Sequence, residues 1–407
     1  MNISRLSWQN LISNPLNTAL SLLLMTLGIG IISLLFLLNN QIEQQLQSNL
    51  RGVDMVVGSK GSPLQIILSS IYHIDNPTGN IPYEEALKIN KNPLVDITIP
   101  LSFGDSYNGF RIVGTTQQYP ELYKMTLSKG RIWKTNLEVV LGNTVAQTHN
   151  LKIGDRFYGT HGLIEGGHVH DNYSYEVVGI FNNSKSVIDQ LILTNTESVW
   201  QVHNHETISY QHDSLTNSNI KPNNSQEAMI TSLLVKFKNP IGIIQIPRKI
   251  NETTNLQAAI PALEISRLTN LLGFGVQTIN IIALIIIIVS GLSIFINLYN
   301  SLKKRRYELA LLRMHGATKL QMVQLVLQEA TILSLLGTLF GLSISRIILF
   351  LLPLSIKYQH SFSSIQLDLL GEELWLFPIA ILVGVIASLI PIIISYNINI
   401  PKTLYDD

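Results

Sequence analysis

Four stretches of the chain consist almost entirely of apolar residues, and each is long enough to cross a lipid bilayer. A transmembrane helix needs about 20 consecutive apolar residues. A broad polar segment separates the first stretch from the other three. We therefore predict an α-helical membrane protein with one membrane helix before a large water-exposed domain and three after it, at residues 17–40, 271–301, 323–352 and 374–396.

Positive charge at the end of the second stretch predicts the orientation of the helices. Lys303, Lys304, Arg305 and Arg306 follow that stretch directly. Because cytoplasmic segments beside membrane helices are enriched in Lys and Arg, we expect a protein of the inner (cytoplasmic) membrane with both termini in the cytoplasm. The other segments are then a cytoplasmic amphipathic lead (1–16), an extracytoplasmic domain with stalk helices (41–270), a cytoplasmic connection (302–322), a short outer loop (353–373) and a cytoplasmic tail (397–407).

The segment 41–270 has the pattern of a mixed α+β domain. Short runs rich in β-branched residues alternate with Gly, Asn and Pro, which is typical of strands separated by turns. Two stretches between these runs, 143–150 and 196–202, are predicted to be short helices. The runs predicted as strands are 54–58, 110–115, 137–142, 175–181, 191–195 and 232–237.

The connection 302–322 predicts a short amphipathic helix across the ends of two membrane helices. Leu309, Leu312 and Met314 are expected on its apolar face, with Glu308, Arg313 and Lys319 opposite. Gly316 is expected to end this helix, and Thr318 to cap the next one. The alternative is a solvated basic loop that only sets the orientation of the helices.

The third apolar stretch contains two features that concern packing. Gly337 and Gly341 have the spacing that permits close approach of two helices. Arg346 lies near the expected outer end, where we predict that it extends to the lipid headgroups rather than lining an ion pathway. We predict a structural role for Glu329 near the cytoplasmic headgroups.

Two sequence patterns resemble one family. The run RRYELALLRMHGAT (305–318), followed by Glu329, is similar to the signature of the MacB/FtsX-type ABC transporter permeases. The run EVVLGNTVAQTHNLKIGDRF (138–157) with YEVVGIF after it resembles the periplasmic core domain of MacB-type permeases. The resemblance implies four transmembrane helices in a one-plus-three arrangement and a large extracytoplasmic α+β domain of MacB periplasmic-core type.

In that family the segment matching 302–322 is a coupling helix that docks on a separate ABC ATPase subunit. The resemblance therefore implies two ATPase copies and a second permease copy, as a homodimer or a pair with a similar subunit. Charged residues would pair with the ATPase, while Leu309 and Leu312 would fill its groove. The residues expected at this contact are Arg305, Arg306, Glu308, Leu309, Leu312, Arg313, His315 and Gly316.

Composition and missing motifs exclude several classes of function. The chain has no cysteine and a net charge of +1, so neither thiolate chemistry nor nucleic-acid binding is indicated. No phosphate-binding loop of the Walker A type occurs. We therefore expect no enzyme and no cofactor in this chain, with ATP bound by the partner subunit.

Several of the ten histidines lie in one window, which opens a metal-binding alternative. His168 and His170 are two residues apart, so on a strand both side chains lie on the same face and can bind one metal ion. His161, Glu165 or Asp171 could supply a third ligand. Zinc is the first candidate. The alternative is a polar, glycine-rich loop whose histidines face water.

These patterns together predict a permease subunit that transmits ATP-driven motion to a periplasmic domain. The work done could be export, lipoprotein extraction or mechanotransmission. Membrane lipid and a periplasmic adaptor or substrate protein are the other expected partners. The alternative is a zinc-linked ABC permease, or a membrane-anchored metal receptor, that uses His161, His168 and His170.

Overall fold

A computed structural model describes residues 3–162, 169–203, 228–355 and 369–396. The chain divides into two compact units. The helical unit comprises residues 1–42 and 271–407, and the sheet unit comprises residues 43–270. Each unit is considered by itself.

Helices and strands alternate along the sheet unit, and the described elements that follow it in the sequence are helical. The helices are α1 (Ile3–Ser13), α2 (Pro15–Asn49), α3 (Pro63–Ser70), α4 (Tyr83–Asn90), α5 (Gln118–Leu122), α6 (Asn143–His149), α7 (described over 196–203), α8 (Pro240–Thr253), α9 (Pro261–Lys304), α10 (Arg306–Met314), α11 (Lys319–Ser355) and α12 (Leu376–Tyr396). Short 3-10 turns occupy Val187–Gln190 and Gly371–Trp375. The strands are β1 (Met55–Ser59), β2 (Ile81–Pro82), β3 (Val95–Tyr107), β4 (Phe110–Thr115), β5 (Leu127–Gly130), β6 (Glu138–Leu141), β7 (Arg156–His161), β8 (Val169–Phe181), β9 (Ile192–Asn195), β10 (Met229–Ile230), β11 (Ser232–Phe237) and β12 (Leu256–Ala259).

Within the described residues, four helical segments are long and apolar enough to cross a membrane, in agreement with the predicted number. One precedes the sheet unit in the sequence and three follow it. Their bounds are Pro15–Asn49, Gln277–Lys304, Lys319–Leu351 and Gly371–Tyr396. The protein is therefore an α-helical membrane protein with a large mixed domain inserted after its first membrane helix.

In the described part of the sheet unit, ten strands form one mixed sheet in the order β12-β1-β11-β3-β4-β9-β6-β8-β5, with β7 pairing to β3 and β8. The pairs β4–β9 and β6–β8 are parallel, and the other recorded pairs are antiparallel. Alternate residues of β1 enter different apolar clusters: Val56 packs with Ile66 and Ile67, whereas Met55 and Val57 pack with residues of α4 and α8. The sheet is thus covered on both faces, as the period of two along a strand requires.

The last turn of α2 is part of the sheet unit and is fixed there by hydrogen bonds. The hydroxyls of Tyr72 and Tyr123 donate to the carbonyl oxygens of Leu46 and Asn49, at 3.0 and 2.9 Å. The Asn49 side chain accepts a bond of 3.0 Å from the backbone N–H of Val187. Carbonyl groups in the last turn of a helix lack hydrogen-bond donors within the helix, and the hydroxyls of the two tyrosines are the donors here.

Close backbone approach joins α2 to α11 in the helical unit. A Cβ atom added to Gly30 would lie 3.3 Å from the carbonyl oxygen of Gly341, and one added to Gly341 would lie 3.0 Å from the Gly30 nitrogen. Gly337 faces the side chain of Met25. The prediction that Gly337 and Gly341 permit close helix packing is confirmed.

The prediction that Arg346 extends to lipid headgroups is wrong. Its guanidinium forms a double contact with the carboxylate of Glu373, one bond being 2.8 Å between Nη1 and Oε1. The Glu373 side chain is fully buried and that of Arg346 is 17% exposed. A carboxylate within reach neutralises the guanidinium inside the protein, so Arg346 does not need to reach water.

Candidate coupling surface at the α9–α11 connection

A short helix of its own, α10, occupies the middle of the connection, as the sequence predicts. Arg305 alone separates it from α9, with φ −114° and ψ 16° outside the helical range. The Arg305 Nε atom contacts Glu308 Oε2 at 2.8 Å, across the first turn. This surface pair adds little energy, but it orients both charges at the start of the helix.

The end of α10 is a Schellman motif followed by a capping box. Gly316 adopts φ +94°, a left-handed conformation that favours glycine. The N–H of Ala317 bonds to the Leu312 carbonyl and that of Gly316 to the Arg313 carbonyl, both at 3.1 Å. Thr318 Oγ1 then accepts the Gln321 N–H at 3.2 Å, while Gln321 Oε1 accepts the Thr318 N–H at 2.8 Å. The predicted break at Gly316 and cap at Thr318 are confirmed.

One face of α10 packs inside the helical unit. Leu309 is 1% exposed and lies in a cluster with Leu302, Met322 and Val326, and Ala310 is also fully buried. Leu312 is partly buried beside the same cluster. The prediction that Leu309 fills a groove on a partner is wrong, because its side chain is already covered by α9 and α11.

The opposite face of α10 is exposed and apolar, and two of its residues, Tyr307 and Leu311, were missed by the sequence prediction. Tyr307 is 47% exposed, Leu311 40% and Met314 60%. Their spacing of four and three residues aligns them along one side of a helix. Met314 therefore lies away from Leu309, contrary to the predicted apolar face. The sequence contained this information, because Tyr307, Leu311 and Met314 form a second apolar stripe on the same helix.

Polar residues flank this stripe. Arg306, Glu308, His315 and Gly316 are exposed, whereas Arg305 and Arg313 are half-buried. The side chain of Glu308 is 62% exposed despite its contact with Arg305. We define the coupling surface as Arg306, Tyr307, Glu308, Leu311, Met314 and His315. An apolar centre with a charged rim is the usual composition of a protein-binding site.

Helix α1 is anchored to α11 close to this connection. The Asn10 side chain donates to the carboxylate of Glu329, and both residues are nearly fully buried. Ser7 Oγ contacts the carbonyl oxygen of Leu325 at 3.4 Å. Glu329 thus has a structural partner and is enclosed by protein, in agreement with its predicted structural role. Trp8 and Ile12 on the other side of α1 are 50% and 61% exposed.

The histidine cluster lies largely outside the described residues. This applies to His168 and to the side chains of His161 and His170, so zinc binding there stays a prediction. Within the described ranges, no three His, Asp or Glu side chains come together to hold a metal ion. One related contact is described: His203 Nε2 of α7 lies 3.4 Å from Asp105 Oδ1 of β3, and Asp105 is opposite His161 in the β3–β7 register.

Two family models match this chain, and together they span most of it. The MacB-like periplasmic core domain matches residues 18–251, and the FtsX-like permease C-terminal domain matches residues 280–400. No curated protein matches the chain.

Solved structures similar to this chain are periplasmic or extracellular regions. The periplasmic region of MacB from Actinobacillus actinomycetemcomitans is 13% identical and covers 56% of this chain and 99% of its own, with a TM-score of 0.34. The extracellular domain of the noncanonic ABC-type transporter YknZ from Gram-positive bacteria is 11% identical and covers 50% of this chain and 98% of its own, with a TM-score of 0.30.

Proposed function

Since this chain belongs to the MacB/FtsX-type ABC transporter permeases, we propose that it transmits ATP-driven motion from a separate ATPase subunit to its sheet unit. The coupling surface on α10 is the contact with that ATPase. Permeases of this family work with ABC ATPase partners and commonly dimerise, so we propose two copies of this chain with two ATPase subunits.

The observation that supports this role most directly is the exposed stripe of Tyr307, Leu311 and Met314. Large aromatic and methionine side chains are enriched in the centres of protein interfaces. Arg306 and Glu308 on its rim supply the charges that orient a partner. A connection that served only to fix membrane orientation would not need an apolar stripe facing outward.

The position of α10 also supports the transmission of movement. A single residue, Arg305, separates α10 from α9, and Leu309 holds α10 against the helical unit. A shift of α10 on its ATPase would therefore move the packed end of α9 with it.

We propose further that α10 faces the cytoplasm and the sheet unit faces the periplasm, in the inner membrane. The cluster of Lys303, Lys304, Arg305 and Arg306 supports this orientation. The work done outside would be export, extraction of a lipid-anchored protein or control of a periplasmic partner.

Co-expression of the full chain with the ABC ATPases of its own organism tests the contact. We expect one ATPase to co-purify with the chain. The triple change Tyr307→Ala, Leu311→Ala and Met314→Ala removes the stripe without adding charge, and it should abolish co-purification, since central anchors each contribute about 2 kcal/mol or more.

A matched control removes three side chains of the same spacing and similar exposure from α9. Ile281, Ile285 and Ile288 are 59%, 53% and 57% exposed, and their replacement by Ala should leave co-purification unchanged. Retention of the ATPase by the α10 variant at the level of the unchanged chain would show that the docking surface lies elsewhere.

The second candidate is a zinc-linked permease, and the contact between Asp105 and His203 favours it. A carboxylate and an imidazole are both ligands that zinc accepts. Calorimetric titration of zinc into the full chain tests the proposal, with His168→Ala/His170→Ala and Asp105→Asn/His203→Ala as the two variants. Tight binding lost in either variant would support a metal site, and no binding to the unchanged chain would exclude this function.

A further inference from the structure

A polar network inside the helical unit joins three of its segments. Ser33 of α2 donates to Glu373 Oε1 at 2.5 Å, and its hydroxyl lies 2.7 Å from that of Ser345 on α11. Arg346 of α11 binds the Glu373 carboxylate through both terminal nitrogens and also contacts Ser33 at 2.9 Å. Glu373 lies in the 3-10 turn that leads directly into α12. The network therefore connects α2, α11 and the start of α12.

Backbone contacts reinforce the same three helices. Gly30 of α2 and Gly341 of α11 approach so closely that neither can carry a side chain without a shift. On α12, a Cβ atom added to Gly384 would lie 3.1 Å from the Ala330 carbonyl oxygen of α11. At Gly30 and Gly341 the two backbones themselves are in close contact, and at Gly384 the nearest group is the short side chain of Ser334 on α11.

Helix α9 is attached to its neighbours differently. Its contacts with α2 include a hydroxyl pair, Ser21 with Ser293 at 3.0 Å, and a bond from Ser290 to the sulfur of Met25. A Cβ atom added to Gly28 would lie 2.9 Å from the Ile287 side chain and 3.4 Å from its backbone nitrogen, and one added to Gly291 would lie 3.0 Å from the Val383 side chain. Among the described residues, no charged group of α9 takes part in the Ser33–Arg346–Glu373 network. Neutral hydroxyl contacts inside a membrane protein can be broken at little cost, whereas separation of a buried ion pair leaves both charges uncompensated.

We propose that α2, α11 and α12 form one rigid block locked by the Ser33–Arg346–Glu373 network, and that α9 moves against this block during the transport cycle. The inference rests on the proposed function, because it requires an ATP-driven cycle. It identifies the moving element: α9 continues into α10 at one end and follows β12 at the other. Displacement of the coupling surface would then reach the sheet unit along α9, while the block serves as a fixed support.

The absence of cysteine from the sequence makes a direct test possible. The variant Ser33→Cys/Ser345→Cys locks α2 to α11, and Ser21→Cys/Ser293→Cys locks α2 to α9. The two hydroxyl pairs are 2.7 and 3.0 Å apart, so in each variant the two sulfur atoms need only a small shift to form a bond of about 2.05 Å. The two variants are therefore matched in residue type and geometry and differ in the helix that is locked.

Each variant is purified in complex with its ATPase, reconstituted in vesicles of phosphatidylethanolamine and phosphatidylglycerol, and assayed for ATP turnover before and after reduction. We expect both disulfides to form. The oxidised α2–α11 variant should hydrolyse ATP as fast as its reduced form, whereas the oxidised α2–α9 variant should lose turnover and regain it on reduction.

A second lock of the block avoids changing the network itself. Ser334→Cys/Gly384→Cys joins α11 to α12, where a Cβ on Gly384 would lie 3.3 Å from the Ser334 Cβ. It should also leave turnover unchanged. The proposal is overturned if either lock of the block stops turnover reversibly, if the α2–α9 lock has no effect, or if the Ser33/Ser345 disulfide does not form.

Failure of the underlying function would look different. In that case the cysteine-free complex would hydrolyse ATP no faster than the ATPase alone, and reduction would change nothing in any variant. An active cysteine-free complex with an inhibitory α2–α11 lock would contradict only the rigid block.

Discussion

Helix α2 is held by buried polar groups at two places, and the two places use opposite chemistry. In the helical unit, Ser33 joins a network built on the charges of Arg346 and Glu373. In the sheet unit, the last turn of α2 is bound by neutral groups, the hydroxyls of Tyr72 and Tyr123 and the amide of Asn49.

The difference lies in what remains when one partner is removed. A buried charge without its counter-ion is strongly destabilising, by about 3–5 kcal/mol. A buried neutral group without its partner costs about 1–3 kcal/mol. Removal of one charged partner should therefore disrupt the whole network in the helical unit. Each neutral contact in the sheet unit can be removed without loss of the others.

The largest effect is expected from Arg346→Met. This change leaves the carboxylate of Glu373 buried without a cation, and the free energy of unfolding in detergent micelles should fall by about 3–5 kcal/mol. Adding Glu373→Leu to the same chain should restore most of the loss, because no charge is then stranded. Equal destabilisation in the single and double variants would mean that packing, not charge, holds this site.

A smaller effect is expected from Asn49→Ala in the sheet unit. The change removes the acceptor of the buried Val187 N–H and should cost about 1–3 kcal/mol. Hydrogen exchange of the full chain, followed at Val187, reports it as faster exchange. Asn39→Ala, at an exposed position of the same helix, is the control and should leave that rate unchanged.

The sheet unit should also lose stability in mild acid through His73. Burial, aided by the charge of Arg111, holds the pKa of His73 well below its usual value. The unfolded chain takes up this proton below about pH 6.5, whereas the folded chain does not. The contribution of His73 to the free energy of unfolding is therefore fully present above that pH. Below it, the contribution falls by at most about 1.4 kcal/mol per pH unit.

The change His73→Asn should flatten this dependence. Asn tolerates the φ of +54° at this position. Thermal unfolding of the full chain between about pH 7.5 and 5 gives the comparison, and the exposed His315→Asn serves as control. An unchanged slope in the His73 variant would assign the acid sensitivity to other groups.

The smallest effect is expected from Gly316→Ala at the end of α10. A Cβ finds open space there, but the left-handed φ costs an L-residue about 1 kcal/mol. The end of α10 should fray, and trypsin should cut faster after Arg313. Gly275→Ala in α9, where φ is negative and space is also open, should show no such increase.

The sequence predicted the elements well because their signals are local. The six β-branched runs all fall on strands, with 110–115 and 232–237 matching β4 and β11 residue for residue. The short helices at 143–150 and 196–202 are also confirmed as α6 and α7. The spacing of apolar residues and the turn-forming residues that mark a strand or a helix lie within the segment itself. These elements can therefore be predicted without knowledge of their neighbours in the fold.

The partners of buried polar residues could not be predicted in the same way. Arg346 pairs with Glu373 and Ser33, which are 27 and 313 residues away in the sequence. Nothing local distinguishes an arginine that finds such a partner from one that extends to water. The two apolar stripes of α10 were ambiguous for a related reason, since the side that packs inward depends on where α9 and α11 lie.

The strand at one edge of the sheet has a further consequence. Among the described strands, β12 pairs with β1 alone, through four residue pairs from Val56–Ala259 to Ser59–Leu256, and Ile260 separates it from α9. β1 is the first strand after α2, so the entry and exit of the domain are hydrogen-bonded to each other. A force that pulls α2 and α9 apart would therefore act first on the hydrogen bonds of this short antiparallel ladder.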